Sequence, residues 1–130
     1  MSSPASLSFS YLKRTLQFRF EAGTSRGVMR TRDVFLIKVC RQGDLEQVGW
    51  GEAAPLAGLS PDFGPDFETL LSGILQEANA RTWDLEEESV LQQVKNLVPF
   101  SLPSLRFGLE TALLDLANGG KKRILANLFF

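Results

Sequence analysis

Apolar and polar residues alternate along the first half of the chain. Leu7, Phe9 and Tyr11 are separated by Ser8 and Ser10, and Leu16, Phe18 and Phe20 by Gln17 and Arg19. A period of two predicts half-buried strands. The apolar set moves from odd to even positions between Tyr11 and Leu16. Because a one-residue slip exchanges a strand's faces, a bulge or sharp bend is expected near Lys13–Thr15. Residues 21–33, with Gly23, Thr24, Ser25 and Gly27, break the alternation and read as a loop. Val34–Cys40 is a run covered on much of both faces, residues 41–46 have turn chemistry, and Gln47–Gly51 returns as a third strand. The last two strands form an antiparallel hairpin.

The period changes after the Pro/Gly-rich stretch 55–65. Asp66 is placed to cap a helix in which Phe67, Leu70, Leu71, Ile74, Leu75 and Ala78 recur at i, i+3, i+4, i+7, i+8 and i+11. Asp84 with Glu87 reads as a capping box, followed by a stripe of Val90, Leu91, Val94, Leu97 and Val98 that Pro99 ends. A third helix begins near Pro103, carries Leu105, Leu109, Ala112, Leu113 and Leu116 on one face, and stops at Asn118-Gly119-Gly120. Three strands followed by three helices predict an α+β domain: a three-stranded antiparallel sheet with a three-helix bundle on one face.

Composition narrows the function classes. A chain of 130 residues suits a single domain. Its net charge of −1 gives no general reason to expect nucleic acid or an anionic membrane as partner. The single cysteine, Cys40, excludes an internal disulfide, and the absence of histidine excludes histidine bases and ligands. No apolar run approaches the roughly 18–20 residues of a membrane span, and the N-terminus lacks the pattern of a signal peptide, so a cytoplasmic location is expected. Charge is uneven, however. Lys13, Arg14, Arg19, Arg26, Arg30 and Arg32 face only Glu21 in the same stretch. That excess reads either as solvated strand and loop charge or as a loop that receives a small anion. Basic and aromatic residues do not interleave there as a nucleic-acid surface requires.

Catalytic chemistry is scarce. Glu86, Glu87 and Glu88 are consecutive, point about 100° apart on a helix, and suit its first turn better than a metal cluster. Asp62 and Asp66 could hold a cation, but turn and capping roles suffice. Gly49-x-Gly51 lacks the third glycine and following helix of a dinucleotide fingerprint. Ser25 and Ser60 have no histidine to activate them, Cys40 closes an apolar strand as a buried thiol, and Glu52 at a strand end is a lone carboxylate. The residues alone give no self-contained active site, only two segments of interest, 22–33 and 53–66.

Two motifs carry a resemblance. Gly49-Trp-Gly-Glu-Ala-Ala-Pro-Leu-Ala-Gly-Leu-Ser60 resembles the end of the third strand and following loop of the N-terminal capping domain in the mandelate racemase/muconate lactonizing branch of the enolase superfamily. Pro103-Ser-Leu-Arg-Phe-Gly-Leu-Glu-Thr-Ala-Leu-Leu-Asp-Leu116 resembles a helix near that domain's end, most closely in o-succinylbenzoate synthases. Residues 11–18 and 22–27 resemble the first strand and first specificity loop of the same group. The resemblance implies that residues 1–130 are an enolase-like cap whose C-terminal catalytic (β/α)-barrel is missing from this chain. In that family the barrel supplies paired lysines and three carboxylates that bind Mg2+. The ion stabilises an enediolate, and the synthase eliminates water to give o-succinylbenzoate for menaquinone biosynthesis.

No catalytic or metal-binding residue carries over, so the fragment is expected to be inactive alone and to bind no Mg2+ itself. What carries over is closure of the barrel mouth and contact with the part of the substrate remote from the reacting carbon. The implied substrate-binding residues are Thr24, Ser25, Arg26, Leu56, Leu59 and Ser60, with Arg26 the charge contact for a small dianionic carboxylate and Leu56 and Leu59 apolar walls. Implied partners are the barrel and that substrate, not nucleic acid or membrane. Self-association through the barrel-facing surface is expected of such a fragment, whose sequence ends in Phe129-Phe130. The cap of an N-acyl amino acid or dipeptide racemase/epimerase, and a stand-alone binding module of the same fold, are the alternatives.

Overall fold

The computed structural model describes residues 4–20 and 28–120. The elements run β1 (Ala5–Phe20), β2 (Val28–Arg41), β3 (Asp44–Ala53), α1 (Phe67–Asn79), β4 (Thr82–Trp83), α2 (Glu87–Leu97) and α3 (Pro103–Ala117). The sheet is antiparallel with strand order β3-β2-β1-β4. The expected α+β architecture with three helices is present, but the sheet has four strands, not three. The extra strand is two residues of the link between α1 and α2, pairing Ala5 with Trp83 and Ser6 with Thr82. Burial of Trp83 draws this link onto the β1 edge. Its ring lies 5.4 Å from that of Phe9, and its indole N–H donates to the Ala78 carbonyl at 3.0 Å. A two-residue strand has too little sequence for periodicity to reveal.

The bulge expected near Lys13–Thr15 does not form. The β1–β2 register is unbroken from Leu7↔Arg41 to Phe20↔Val28. Leu7, Phe9 and Tyr11 share a face with Lys13 and Thr15, whereas Leu12 and Leu16 lie on the other face, 54% and 46% exposed. The faces do not switch; the core simply ends, and polar residues follow on its side of the strand. A register shift occurs instead at Cys40/Arg41, beside the Gly43 turn, where φ is +88°. Residues 28–33, expected to be loop, extend β2. Their cross-strand pairing with β1 overrides weak local patterning.

The core lies between one sheet face and the helices. Leu7, Phe9, Phe35, Ile37 and Val39 from the sheet meet Leu71, Leu75, Val90, Val94, Leu105, Leu109 and Leu113. The helical stripes fall as their period predicts, except that Leu70 and Leu91 at the stripe margins are each 44% exposed. The capping details differ. Asp66 occupies the N-cap of α1 without a side-chain cap bond, and Glu86, not Asp84, is the N-cap of α2. Asp84 instead accepts the Glu86 N–H at 3.0 Å. At the end of α3 the Gly119 N–H bonds the Leu116 carbonyl and the Gly120 N–H the Asp115 carbonyl, with Gly119 at φ +101°. This paired closure requires the left-handed conformation that glycine tolerates.

The tightest contact is α3 on β3. Gly49, Gly51 and Ala53 recur with the strand's period and meet Gly108, Ala112 and Leu116 of the helix. A Cβ on Gly51 would fall on the Gly108 carbonyl oxygen and 2.8 Å from the Ala112 nitrogen. Gly49 and Gly51, too few for a dinucleotide fingerprint, therefore serve backbone-to-backbone packing. Fully buried Asp115 of α3 accepts the Trp50 N–H at 2.9 Å. The helix thus engages a backbone donor of the sheet's outermost strand and covers its edge. No helix among the described residues is long and apolar enough to cross a membrane.

Candidate functional site

β3 stops pairing at Ala53, opposite Phe35, while β1 and β2 continue together to Phe20 and Val28. A two-stranded arm thus extends past the end of β3, and the chain leaving β3 at Ala54 runs beside its base. Residues 54–66 are shaped by their own hydrogen bonds. The Leu56 N–H donates to Ser60 Oγ at 2.7 Å, the Ser60 N–H returns to the Leu56 carbonyl at 2.9 Å, and Gly58 takes φ +77°. Further along, Asp62 is buried and its Oδ2 accepts the Ser104 and Leu105 N–H groups at 2.8 and 3.2 Å, capping α3 from a distance. The cap role considered for Asp62 is thus realised on α3.

Two clefts flank this loop. The first, about 500 Å³, has Phe35 and Phe67 among its apolar lining, with Leu56, Phe63, Lys13 and Arg32 also around it. The second, about 450 Å³, is lined by Arg32, Glu52, Leu59, Ser60, Ser104 and Phe107. Leu56 therefore belongs to one cleft, and Leu59 and Ser60 to the other. Leu59 is 78% exposed, and the Ser60 hydroxyl is engaged in closing the loop. Thr24, Ser25 and Arg26 lie outside the described residues. Lys13, Arg32, Phe63 and Phe107 are lining residues that sequence reasoning did not select. Only the two cations carried a signal, as members of the basic run.

A polar network braces the arm's base against α1. The Tyr11 hydroxyl donates to Glu68 Oε2 at 2.8 Å, and Lys13 Nζ lies 3.2 Å from Glu68 Oε1 and 3.9 Å from Asp33 Oδ2. Thr15 Oγ1 donates to Asp33 Oδ1 at 2.8 Å. The Tyr11 hydroxyl and Lys13 ammonium hold the Glu68 carboxyl below its ordinary value, and hydrogen bonding to Glu68 raises both Tyr11 and Lys13. On the other side of the arm, Arg32 Nη2 donates to the Ala54 carbonyl at 2.7 Å, while its Nε is buried without a hydrogen-bond partner. Cys40 is a buried free thiol, and Glu86–Glu88 are exposed at the start of α2. Among the described residues no three of Asp, Glu and Cys come together as a metal site. The two clefts and the charged network lie side by side around the base of the arm.

No protein-family model matches the chain. It is 29% identical, over 144 residues, to the o-succinylbenzoate synthase of Desulfotalea psychrophila, an alignment covering 95% of this chain and 38% of that protein. The chain thus spans little more than a third of the curated relative it matches. Among solved structures it resembles MenC from Desulfotalea psychrophila with a TM-score of 0.62 and 22% identity, over 92% of this chain and 37% of that one. It also resembles a mandelate racemase/muconate lactonizing protein from Herpetosiphon aurantiacus with a TM-score of 0.56 and 19% identity, over 88% of this chain and 30% of that one. These two likenesses establish the fold.

Proposed function

From a sequence and fold that fit the N-terminal cap of the enolase superfamily, we propose that residues 1–130 are the capping and substrate-specificity domain of an o-succinylbenzoate synthase-like enzyme. The observation that carries this reading is the extent of the match: nearly the whole chain aligns with little more than a third of a synthase. The catalytic barrel, with its magnesium ion, lysines and carboxylates, lies outside this chain, and the parent enzyme dehydrates a succinyl-hydroxycyclohexadiene carboxylate. In this reading the chain's own part is to bind the distal end of the substrate and exclude water. Thr24, Ser25 and Arg26, in the connection between β1 and β2, and Leu56, Leu59 and Ser60, in the loop after β3, are the proposed contacts. Arg26 meets a carboxylate of the dianion, and Leu56 and Leu59 form apolar walls.

The test uses the native protein, recovered from its source with an antibody raised against this chain. Its mass is measured, and it is assayed for o-succinylbenzoate formation with and without Mg2+, and for racemisation of N-acyl amino acids. A longer protein that dehydrates in a Mg2+-dependent manner supports the proposal. Racemisation without dehydration replaces the synthase with a racemase parent. A protein of this chain's size with neither activity overturns the enzyme reading.

A further inference from the structure

We propose that the sheet face turned away from the helices is a dimer interface, on which a second copy of this chain packs face to face about a two-fold axis running along β2. The composition of that face is the starting point. Leu7, Phe9, Phe35, Ile37 and Val39 point into the core, to which all three helices contribute. Leu12, Leu16, Val34, Leu36, Val48 and Trp50 therefore point the other way. An antiparallel sheet with one solvated face ordinarily carries polar residues there. Here the face holds an apolar band that crosses β1, β2 and β3. Leu12 and Leu16 are large and exposed, and Leu36, Val48 and Trp50 are half-buried. Val34 and Cys40 are buried although neither belongs to the core on the helix side. The band's side chains are thus packed against one another and want only a cover.

Charge identifies the occupant. Cross-strand register sets the face out in rows: Ser10, Lys38 and Trp50 form one, Leu12, Leu36 and Glu52 the next, and Arg14 and Val34 the third. Lys38 Nζ lies over the Trp50 ring, 5.9 Å from its centroid. Arg14 and Glu52 flank the band on β1 and β3, and neither has an ion-pair partner among the described residues. Within one chain the two stand two strands apart, about 10 Å between strand axes. A two-fold axis along β2 exchanges the outer strands, so β1 of one copy lies over β3 of the other. Arg14 then comes one row from the partner's Glu52, within reach of an arginine side chain, and the symmetry repeats the contact. One unlike pair in the chain becomes two across an isologous interface, while Val34 and Leu36 meet their own counterparts at the centre. An axis across the strands at Leu36 would instead set Glu52 on Glu52. Sheets packed in this aligned way sit about 10 Å apart. Leu12, Arg14, Leu16 and Leu36 line neither of the two clefts, so the interface does not depend on the proposed function.

Sedimentation equilibrium on the native protein at micromolar concentrations tests this, with circular-dichroism melts to verify folding. The wild type should be a dimer. Arg14→Glu and Glu52→Arg should each weaken it about tenfold or more, because each sets like charges together twice. Mixing the two single variants should give a heterodimer within about threefold of wild-type affinity, since opposite charges then meet at both contacts. Pairing of Arg14 with Glu52 inside one chain would give no such rescue on mixing. Leu12→Glu, at an exposed position, should also weaken the dimer about tenfold and keeps the test open if Glu52→Arg does not fold. A dimer that Leu12→Glu leaves unmoved, or folded single variants that fail to combine, would overturn the proposal. A monomeric wild type would also overturn it; a lowered Tm for Leu12→Glu would then assign the face to a segment of the parent chain itself.

Discussion

Replacing Gly51 by alanine tests whether the α3–β3 contact is set by backbone approach. The added Cβ would overlap the Gly108 carbonyl oxygen and sit 2.8 Å from the Ala112 nitrogen and 2.9 Å from the Gly108 carbonyl carbon. All three are helix backbone atoms, so no rotamer change relieves the clash. Restoring even the Ala112 contact to an ordinary 3.4 Å requires α3 to retreat by about 0.6 Å, and the Gly108 oxygen demands more. Overpacking of this kind costs about 1–3 kcal/mol. The same retreat strains the Asp115–Trp50 hydrogen bond, and a bond to a charged acceptor contributes about 1.5–3 kcal/mol. Together the expected loss is about 2.5–6 kcal/mol from a total stability of about 5–15 kcal/mol. For a chain of this size that lowers Tm by about 10 °C or more in a circular-dichroism melt. Gly73, exposed within α1 with no atom near its would-be Cβ, is the internal control. Gly73→Ala should stabilise the protein by about 0.5–1 kcal/mol, because it removes glycine's excess backbone freedom from a helix interior. A Gly51→Ala melt within about 2 °C of wild type would refute close backbone packing as the reason for this glycine.

Three further outcomes follow from named contacts. Asp62→Ala removes the acceptor for the first N–H groups of α3 and should cost about 1–2 kcal/mol in urea unfolding; no change would mean that α3 does not depend on this distant cap. Glu68 is held below its ordinary 4.5 by the Tyr11 hydroxyl and the Lys13 ammonium, so its contribution is present above that value and lost as pH falls through the lowered one. Tyr11 and Lys13 are raised from 10.0 and 10.5 by the same carboxylate, so their contributions hold below those values and fade as pH rises through the raised ones. Glu68→Gln should therefore flatten both limbs of the urea-midpoint profile against pH, and superimposable profiles would contradict the network. Glu110 on α3 is pushed up by burial against the opposing pull of Arg106 and Lys95, so the fold favours its protonated form. Glu110→Gln should raise the urea midpoint at neutral pH, and a lower midpoint would show that its charge is satisfied.

The residues themselves determined much of this protein. Three helices were legible because Phe67–Ala78, Val90–Val98 and Leu105–Leu116 each repeat at the helical period, and a stripe of that kind must be buried against something. The β2–β3 hairpin was legible from β-branched strand chemistry around a turn. The Gly49–Ser60 and Pro103–Leu116 motifs pointed to the cap, and the match to a synthase and the fold of its relatives agree with them.

Tertiary structure decided the rest. At Lys13 and Thr15 the change of apolar parity resembled a bulge, because a sequence cannot distinguish a strand that slips from a core that ends. Strand assignment for residues 28–33 depends on pairing with β1, whose register is invisible to local patterning. The two residues of β4 are held by the burial of Trp83, a contact with distant Phe9 and the end of α1. In the candidate site, Leu56 and Leu59 stand three apart yet line different clefts, since the loop's own hydrogen bonds turn it between them. Arg32 was visible only as one of several basic residues. Its particular place comes from the end of the β2–β3 ladder, which leaves the Ala54 carbonyl within reach of its guanidinium. Periodicity reports which face of an element is buried; the partner that buries it, and the backbone group left over at its end, exist only once the chain has folded.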